Sequence, residues 1–203
     1  MIEVIAALTC LVLAGLTAVT VAIQVMTTTA TSREYLIAQN LAREAIEGVV
    51  NIRDTNWLLS TTEKTECWMI IDSSPCPPAG PNTIVEGTSY IIDRAPSGKF
   101  VLTSKAGSLD IKDGEDAKTK YPNFLLYVDS DNIYTHTIPG SLMSPYPFPD
   151  FYRMVTFSKV ETGDSPAIFN EEQMKITVKV QWLQKDSIAK TYELSSVITN
   201  YEN

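Results

Sequence analysis

The sequence predicts an α+β protein, in which a long N-terminal α-helix, apolar over its first half, packs on a C-terminal antiparallel β-sheet domain. Three observations lead to this prediction. Residues 4–23 carry no charge, residues 38–52 repeat apolar side chains at spacings of three and four, and residues 174–182 alternate apolar and polar side chains. These patterns are typical of an apolar helix, an amphipathic helix and a half-buried strand, respectively.

The uncharged segment Val4–Ile23 is long enough to cross a bilayer core as a helix, which takes about 20 residues. No basic residue precedes it and no small-residue cleavage site follows it. We therefore expect it to be retained rather than removed as a secretory signal. A plain membrane anchor is the alternative, although anchors usually carry basic residues on a cytoplasmic flank.

The helical pattern continues without a proline before Pro75, which predicts one helix from about Ile2 to about Asp54. Its second half is apolar along one stripe and needs a folded domain to pack against. We therefore divide the chain into an apolar half-helix at 1–30, an amphipathic half-helix at 31–56 and a β-rich head domain at 57–203.

The head domain is predicted from short β-type runs separated by turn residues. Met174–Trp182 is the clearest strand, with Ile188–Thr199 as its hairpin partner. The other predicted strands are Tyr152–Val160, Thr88–Arg94, Lys99–Thr103 and Phe124–Val128.

The charge balance and the rarity of chemical motifs exclude several function classes. The net charge of −8 argues against nucleic acid as a partner, because phosphate binding needs a basic surface. No nucleophile motif or phosphate loop is present, so we expect neither an enzyme nor a cofactor.

His136 is the single histidine and is not expected to be a ligand. The acidic runs Asp113–Asp116 and Asp129–Asn132 do not have the full calcium-loop spacing and are interpreted as solvated turns rather than metal sites.

The three cysteines fall into a pair and a single thiol. Cys67 and Cys76 lie close together in a polar, proline-rich stretch, which predicts a disulfide and an extracytoplasmic location. Cys10 lies in the apolar run without a partner there, and we expect it to stay reduced.

Glu3 is the most informative residue of the apolar segment. A carboxylate at the head of a membrane-spanning helix is costly unless it is paired, and the first cation of its own helix is Arg33. The nearer positive charges are the α-amino group at Met1 and the amine of a neighbouring copy. Pairing between copies would set their register and favour assembly. The alternative is a carboxylate stabilised only by the helix dipole.

The first residues, Met1–Leu8 (MIEVIAAL), resemble the start of mature type IV pilins and pseudopilins. Residues 39–47 (QNLAREAIE) and 51–57 (NIRDTNW) are similar to the end of the long helix in several bacterial pilin-like proteins. The resemblance is strong over about the first 57 residues and lies in architecture alone beyond them. In this family the glutamate is normally the fifth residue of the mature chain. Here Glu3 is the third, so that either two residues precede Met1 or the cleavage point differs.

The resemblance implies a pilin-like fold, removal of a short leader by a prepilin peptidase, methylation of the N-terminal residue and assembly by pilus machinery. It implies a structural subunit of a cell-surface filament, a helical homopolymer that is anchored in the cytoplasmic membrane before assembly. Unwinding of the helix between Gly15 and Thr20 is expected inside such a filament. A minor pilin or pseudopilin of a secretion or DNA-uptake machine, and a monomeric anchored binding module, remain alternatives. Adhesion, motility and DNA uptake are all left open.

Overall fold

The computed structural model describes residues 2–59, 71, 84–95, 97–128, 133–137, 150–160, 173–184 and 187–200. The chain forms two compact units, Met1–Ile37 and Ala38–Asn203, and each is considered by itself. The first unit is the N-terminal part of a long helix. The second contains the remainder of that helix and an antiparallel sheet, so the predicted α+β layout is confirmed.

Helix α1 runs without interruption over Ile2–Leu59, five residues beyond the predicted end at Asp54. No proline or helix-ending glycine stands at that point, so the helix continues. The segment Gly15–Thr20 is regular helix in this single chain. The helix buries one stripe within the second unit, which matches the predicted amphipathic pattern. The buried positions are Ala38, Leu41, Ala42, Ala45, Gly48, Val49, Ile52, Arg53 and Asn56.

The sheet contains five antiparallel strands in the order β2-β1-β5-β6-β7. A separate two-stranded ladder pairs β3 with β4. A short helix α2, Ala117–Lys120, and a 3-10 turn, Pro122–Phe124, lie between β2 and β3. The strands are β1 Ser89–Arg94, β2 Phe100–Lys105, β3 Tyr127–Val128, β4 Tyr134–Thr135, β5 Phe151–Ser158, β6 Gln173–Leu183 and β7 Ala189–Thr199.

Five of the predicted strands are present with small shifts at their ends. The hairpin of β6 and β7 is confirmed over eleven paired positions, from Gln173 opposite Thr199 to Leu183 opposite Ala189. The predicted strand Phe124–Val128 is wrong in extent. Pro122 begins a 3-10 turn there because its fixed φ suits a helical first position, and only Tyr127–Val128 is a strand.

The two faces of the sheet carry two layers of packing. On β5, the side chains at Arg153 and at every second residue from it face α1. Val180, the partner of Arg153 on β6, lies on the same face. The opposite face of β5, with Tyr152 and Met154, packs against the segment that contains Leu109 and Phe124. Alternation along one strand therefore divides the core into a helix side and a second, smaller cluster.

Gly48 lies where α1 packs closely against the sheet. A Cβ atom built at this position would lie 2.6 Å from Ile92 Cδ1 and 3.0 Å from Phe100 Cδ1. Gly15, by contrast, has no atom within 4 Å of such a Cβ. The glycine at 48 is thus explained by space on the sheet side rather than by backbone conformation.

Arg153 connects α1, β1 and β5 through a fully buried guanidinium. Its Nη1 donates to the Leu41 carbonyl at 3.2 Å and lies 3.3 Å from Glu44 Oε2. Its Nη2 donates to the Ile92 carbonyl at 2.9 Å. Burial lowers the pKa of Arg153, while the charges of Glu44 and Asp93 raise it.

The strands β1 and β5 pair only at Ser89 and Tyr90, so Ile92 lies where they have separated. There the Arg153 guanidinium donates to the Ile92 carbonyl, in place of the N–H group of a paired strand. A buried carbonyl without a donor is costly, which makes this side chain a clamp between helix and sheet.

We predict that Arg153→Met lowers the free energy of unfolding by about 1–3 kcal/mol, because the Ile92 carbonyl loses its donor while the side-chain volume is roughly kept. Lys179→Met is the matched control, since Lys179 pairs with the half-exposed Glu193 on the sheet surface. That change should cost less than about 1 kcal/mol. The measurement is denaturant unfolding of the full chain in detergent micelles, and equal losses in the two variants would contradict the clamp.

Candidate assembly helix

The N-terminal part of α1 carries large apolar side chains that the chain itself does not cover. Residues 2–30 are exposed throughout. Thirteen large apolar side chains between Ile2 and Met26 are 55–84% exposed. Isolated exposed apolar residues are ordinary on soluble proteins, but a continuous surface of this kind marks contact with lipid or with other protein.

Most threonines of this segment do not make it polar, because their hydroxyls donate to carbonyls of the helix itself. Thr9 donates to the Ile5 carbonyl at 2.6 Å, and Thr17 donates to the Ala14 carbonyl at 2.9 Å. The same bond to a preceding turn is made by Thr20, Thr27, Thr29 and Thr31. The hydroxyl donors need no partner from outside, so the segment suits an apolar environment.

Small and polar residues of this segment are concentrated in one sector of the helix, among large apolar ones. At 3.6 residues per turn that sector contains Ala6, Cys10, Thr17, Thr20 and Gln24, together with Leu13. The opposite sector contains Val4, Leu8, Val12, Val19 and Ile23, with Gly15 and Ala22 among them. Small residues allow helix backbones to approach closely in lipid, and large aliphatic residues supply packing area.

Glu3 lies in the first turn of α1 and is exposed. Within the described part of the helix the next charged residue is Arg33, which is about 45 Å further along at 1.5 Å per residue. Met1, Cys67 and Cys76 lie outside the described residues, so the proposed amine and the predicted disulfide stay predictions. Cys10 is a free, exposed thiol.

By length and composition α1 is the one helix, among the described residues, that could cross a membrane. Membrane anchors and signal sequences near an N-terminus both meet this criterion. The helix is thus consistent with membrane anchoring, and its surface composition is the feature from which a function can be argued.

His136 follows β4 and lies where β1 and β5 separate. Its backbone N–H donates to Asp93 Oδ1 at 2.8 Å, and its Nδ1 lies 2.9 Å from the same oxygen. Its Nε2 lies 3.2 Å from the Arg153 carbonyl. The side chain is fully buried. The histidine therefore joins the β4 segment to both strands.

The pKa values of this pair follow from burial and mutual contact. Burial lowers the pKa of His136, and this outweighs the hydrogen bond with Asp93, which raises it. Burial raises the pKa of Asp93, but the hydrogen bonds with His136, together with the charge of Arg153, lower it more. The carboxyl is thus ionised at neutral pH, and the imidazole resists protonation.

The acidic run at 113–116 is engaged in the local structure of a turn. Asp113 Oδ1 accepts from the Ala189 N–H at 2.7 Å, and Asp116 Oδ2 accepts from the Thr119 hydroxyl at 2.6 Å. Glu115 forms an ion pair with Lys120. No group of three or more histidine, cysteine or acidic side chains in the described ranges is placed to hold a metal ion. The run 129–132 lies outside those ranges.

Two features of the helix and sheet are not predicted from the sequence. The predicted apolar run does not separate small from large side chains, although the spacing of Ala6, Cys10 and Thr17 places them in one sector of the helix. The contacts of Arg153 with α1 and β1, and of His136 with Asp93, join residues more than 40 positions apart, and the local pattern gives no sign of them.

We predict that acidification destabilises the protein through His136. The unfolded chain binds a proton with a pKa near 6.5, whereas burial lowers the folded value, so stability present above about pH 6.5 is lost as the pH falls. One proton gives a slope of at most about 1.4 kcal/mol per pH unit. Unfolding free energies of wild type and His136→Gln, compared between about pH 7.5 and 5.5, isolate this contribution. A wild type that gains stability relative to the variant on acidification would show that the folded ring is charged and paired with Asp93.

Comparisons of the chain with protein-family models, with curated protein sequences and with solved structures each give no match. The resemblance of the first 57 residues to type IV pilins therefore depends on the quoted motifs.

Proposed function

We propose that this protein is a structural subunit of an extracellular filament of the type IV pilus kind. The apolar part of α1 packs with the same segment of other copies to form the filament core. The acidic, β-rich head domains then lie on the outside. Before assembly the same segment holds the chain in the cytoplasmic membrane.

One observation supports this proposal above the others, namely a continuous apolar helix surface joined to a folded, charged head domain. Burying a large aliphatic side chain contributes about 1.5–3 kcal/mol, and thirteen such side chains are exposed here. A surface of this size must be covered by lipid, by protein or by each in turn. A filament subunit needs both kinds of cover, the first before assembly and the second after it.

The small residues of the segment support packing among copies rather than lipid contact alone. Lipid chains do not discriminate between small and large apolar side chains, so a pure anchor gains little from small residues. Helices that pack together gain from them, because Ala6, Cys10 and Thr17 leave room for a neighbouring backbone. The satisfied hydroxyl of Thr17 is compatible with such a dry contact.

Glu3 provides the specificity of the proposed contact. Among close-packed apolar helices a carboxylate is stable only with a cation, and the described helix offers none within its first 30 residues. The amine at the start of a neighbouring chain is the partner that a repeated assembly always supplies. This pairing would fix the axial register between copies.

A monomeric, membrane-anchored binding module is the second candidate, and the length and composition of α1 support it equally. In that case Glu3 lies at headgroup depth, where a carboxylate costs little. The same helix would also serve a minor pilin or pseudopilin, which differs from a major subunit in its abundance in purified filaments.

We predict that Glu3→Ala keeps membrane insertion and the folded head domain but loses assembly. Removing one partner of a buried ion pair typically costs about 3–5 kcal/mol, because the other charge remains uncompensated. Filament recovered by shearing, relative to the membrane pool, should fall more than about tenfold. Glu47→Ala is the matched control, since Glu47 is exposed on the same helix outside the apolar segment.

The control variant should assemble as wild type does. A Glu3→Ala protein that forms filaments in normal amount and at the normal rate would show that Glu3 does not set the register. Wild-type chains that remain monomeric in every preparation would favour the anchored module.

A further inference from the structure

A pocket of about 300 Å³ opens on the head domain between α2, the start of β5 and the end of β6. Its polar lining includes Glu115, Asp116, Lys118, Asp150, Tyr152 and Gln184. All of these belong to the same compact unit. The volume is at the lower end of the range for small-molecule sites, about 300–1,000 Å³, which is room for one ring-sized molecule.

Tyr152 forms the buried end of this pocket. The residue is 1% exposed, and its ring packs in the smaller core cluster with Leu125 and Met154. No hydrogen bond of its hydroxyl is found among the described residues, although the side chain reaches the pocket beside Asp150 and Asp116. The hydroxyl is not among the enclosed side-chain atoms that lack a partner, so it opens onto the pocket, where a ligand atom or water can bond to it.

The hydroxyl of Tyr152 is a donor at every physiological pH. Burial raises the pKa of Tyr152 well above its ordinary value, and the negative charges of Asp150 and Asp116 raise it further. A protonated phenol offers one donor and one acceptor. The pocket therefore presents a fixed donor at its buried end and carboxylate acceptors on its walls.

Two of the three carboxylates in the pocket form ion pairs with lysines, and the third accepts a hydrogen bond from a hydroxyl. Asp150 lies 2.9 Å from Lys118 Nζ, Glu115 pairs with Lys120, and Asp116 accepts from Thr119. Their geometry is not that of a metal site in the described part of the chain. Three carboxylates against one lining ammonium disfavour an anion, and the existing ion pairs leave little net attraction for an organic cation. Each carboxylate still has lone pairs that can accept hydrogen bonds.

We propose that this pocket binds one neutral sugar ring. A sugar hydroxyl both donates and accepts, so adjacent hydroxyls can donate to the wall carboxylates and accept from the Tyr152 phenol or from Lys118 Nζ. The carboxylate acceptors and the phenol donor of the pocket therefore match the donors and acceptors of the hydroxyl groups on such a ring. The proposal does not depend on filament assembly, since the pocket lies wholly in the head domain.

The test is a titration of the full chain with a panel of neutral hexoses and N-acetylhexosamines at millimolar concentrations. The chain is held in a zwitterionic detergent, because maltoside and glucoside detergents carry the ligand chemistry themselves. Binding is read by saturation transfer to the sugar and by shifts of the Lys118 and Ser187 amide resonances.

We expect saturable binding of at least one sugar, with Tyr152→Phe weakening it about tenfold while the ring and the core packing are kept. Tyr192→Phe is the matched control on β7, outside the pocket, and should bind as wild type does. Methylammonium and magnesium chloride serve as competing probes. The proposal is overturned if no sugar binds, if Tyr152→Phe binds equally well, or if only one of these cations shifts the pocket resonances. Filament yield of Tyr152→Phe should be unchanged, which separates this result from that of Glu3→Ala.

Discussion

The N-terminal part of α1 presents an apolar helix surface that the described part of the chain leaves uncovered, and this surface has to be buried elsewhere. From Ile2 to Met26 the large side chains point outward in every direction, and the threonine hydroxyls turn back onto the helix. Covering two or three such side chains contributes more free energy than the few kcal/mol that a carboxylate near the end of the segment costs, since each contributes about 1.5–3 kcal/mol. A single charge such as Glu3 can therefore be carried into an apolar environment and used there for specificity.

In the second unit, an amphipathic helix is held on a sheet. Apolar packing supplies most of the stabilisation, but it does not fix the position of the helix along its axis. Arg153 fixes that position, because its guanidinium contacts a helix carbonyl, a strand carbonyl and Glu44 at the same time. His136 completes the same region by joining the β4 segment to β1 and β5, where those strands no longer pair with each other. The fold thus uses buried polar groups where strand separation leaves backbone groups to be satisfied.

Much of the fold could be predicted because the informative patterns are local. The alternation in residues 174–182 defines β6, and the spacing of apolar residues in 38–52 defines the buried stripe of α1. The error at Phe124–Val128 shows the limit of that approach, since apolar composition alone does not distinguish a strand from a turn begun by Pro122. The contacts of Arg153 could not be predicted, because a charged residue within a strand ordinarily indicates a surface position. The pocket at Tyr152 is formed by three segments that are distant in sequence. The sequence around Tyr152 indicates only an aromatic residue of the core.

In the proposed filament, copies of this helix cover one another and Glu3 pairs with a neighbouring amine. A helical reconstruction of filaments assembled from the full chain would show both features. We expect the apolar segments at the filament axis, the head domains outside, and each Glu3 carboxylate within about 4 Å of an amine nitrogen of an adjacent copy. A reconstruction in which Glu3 faces solvent, or in which the head domains form the core, would rule out this arrangement.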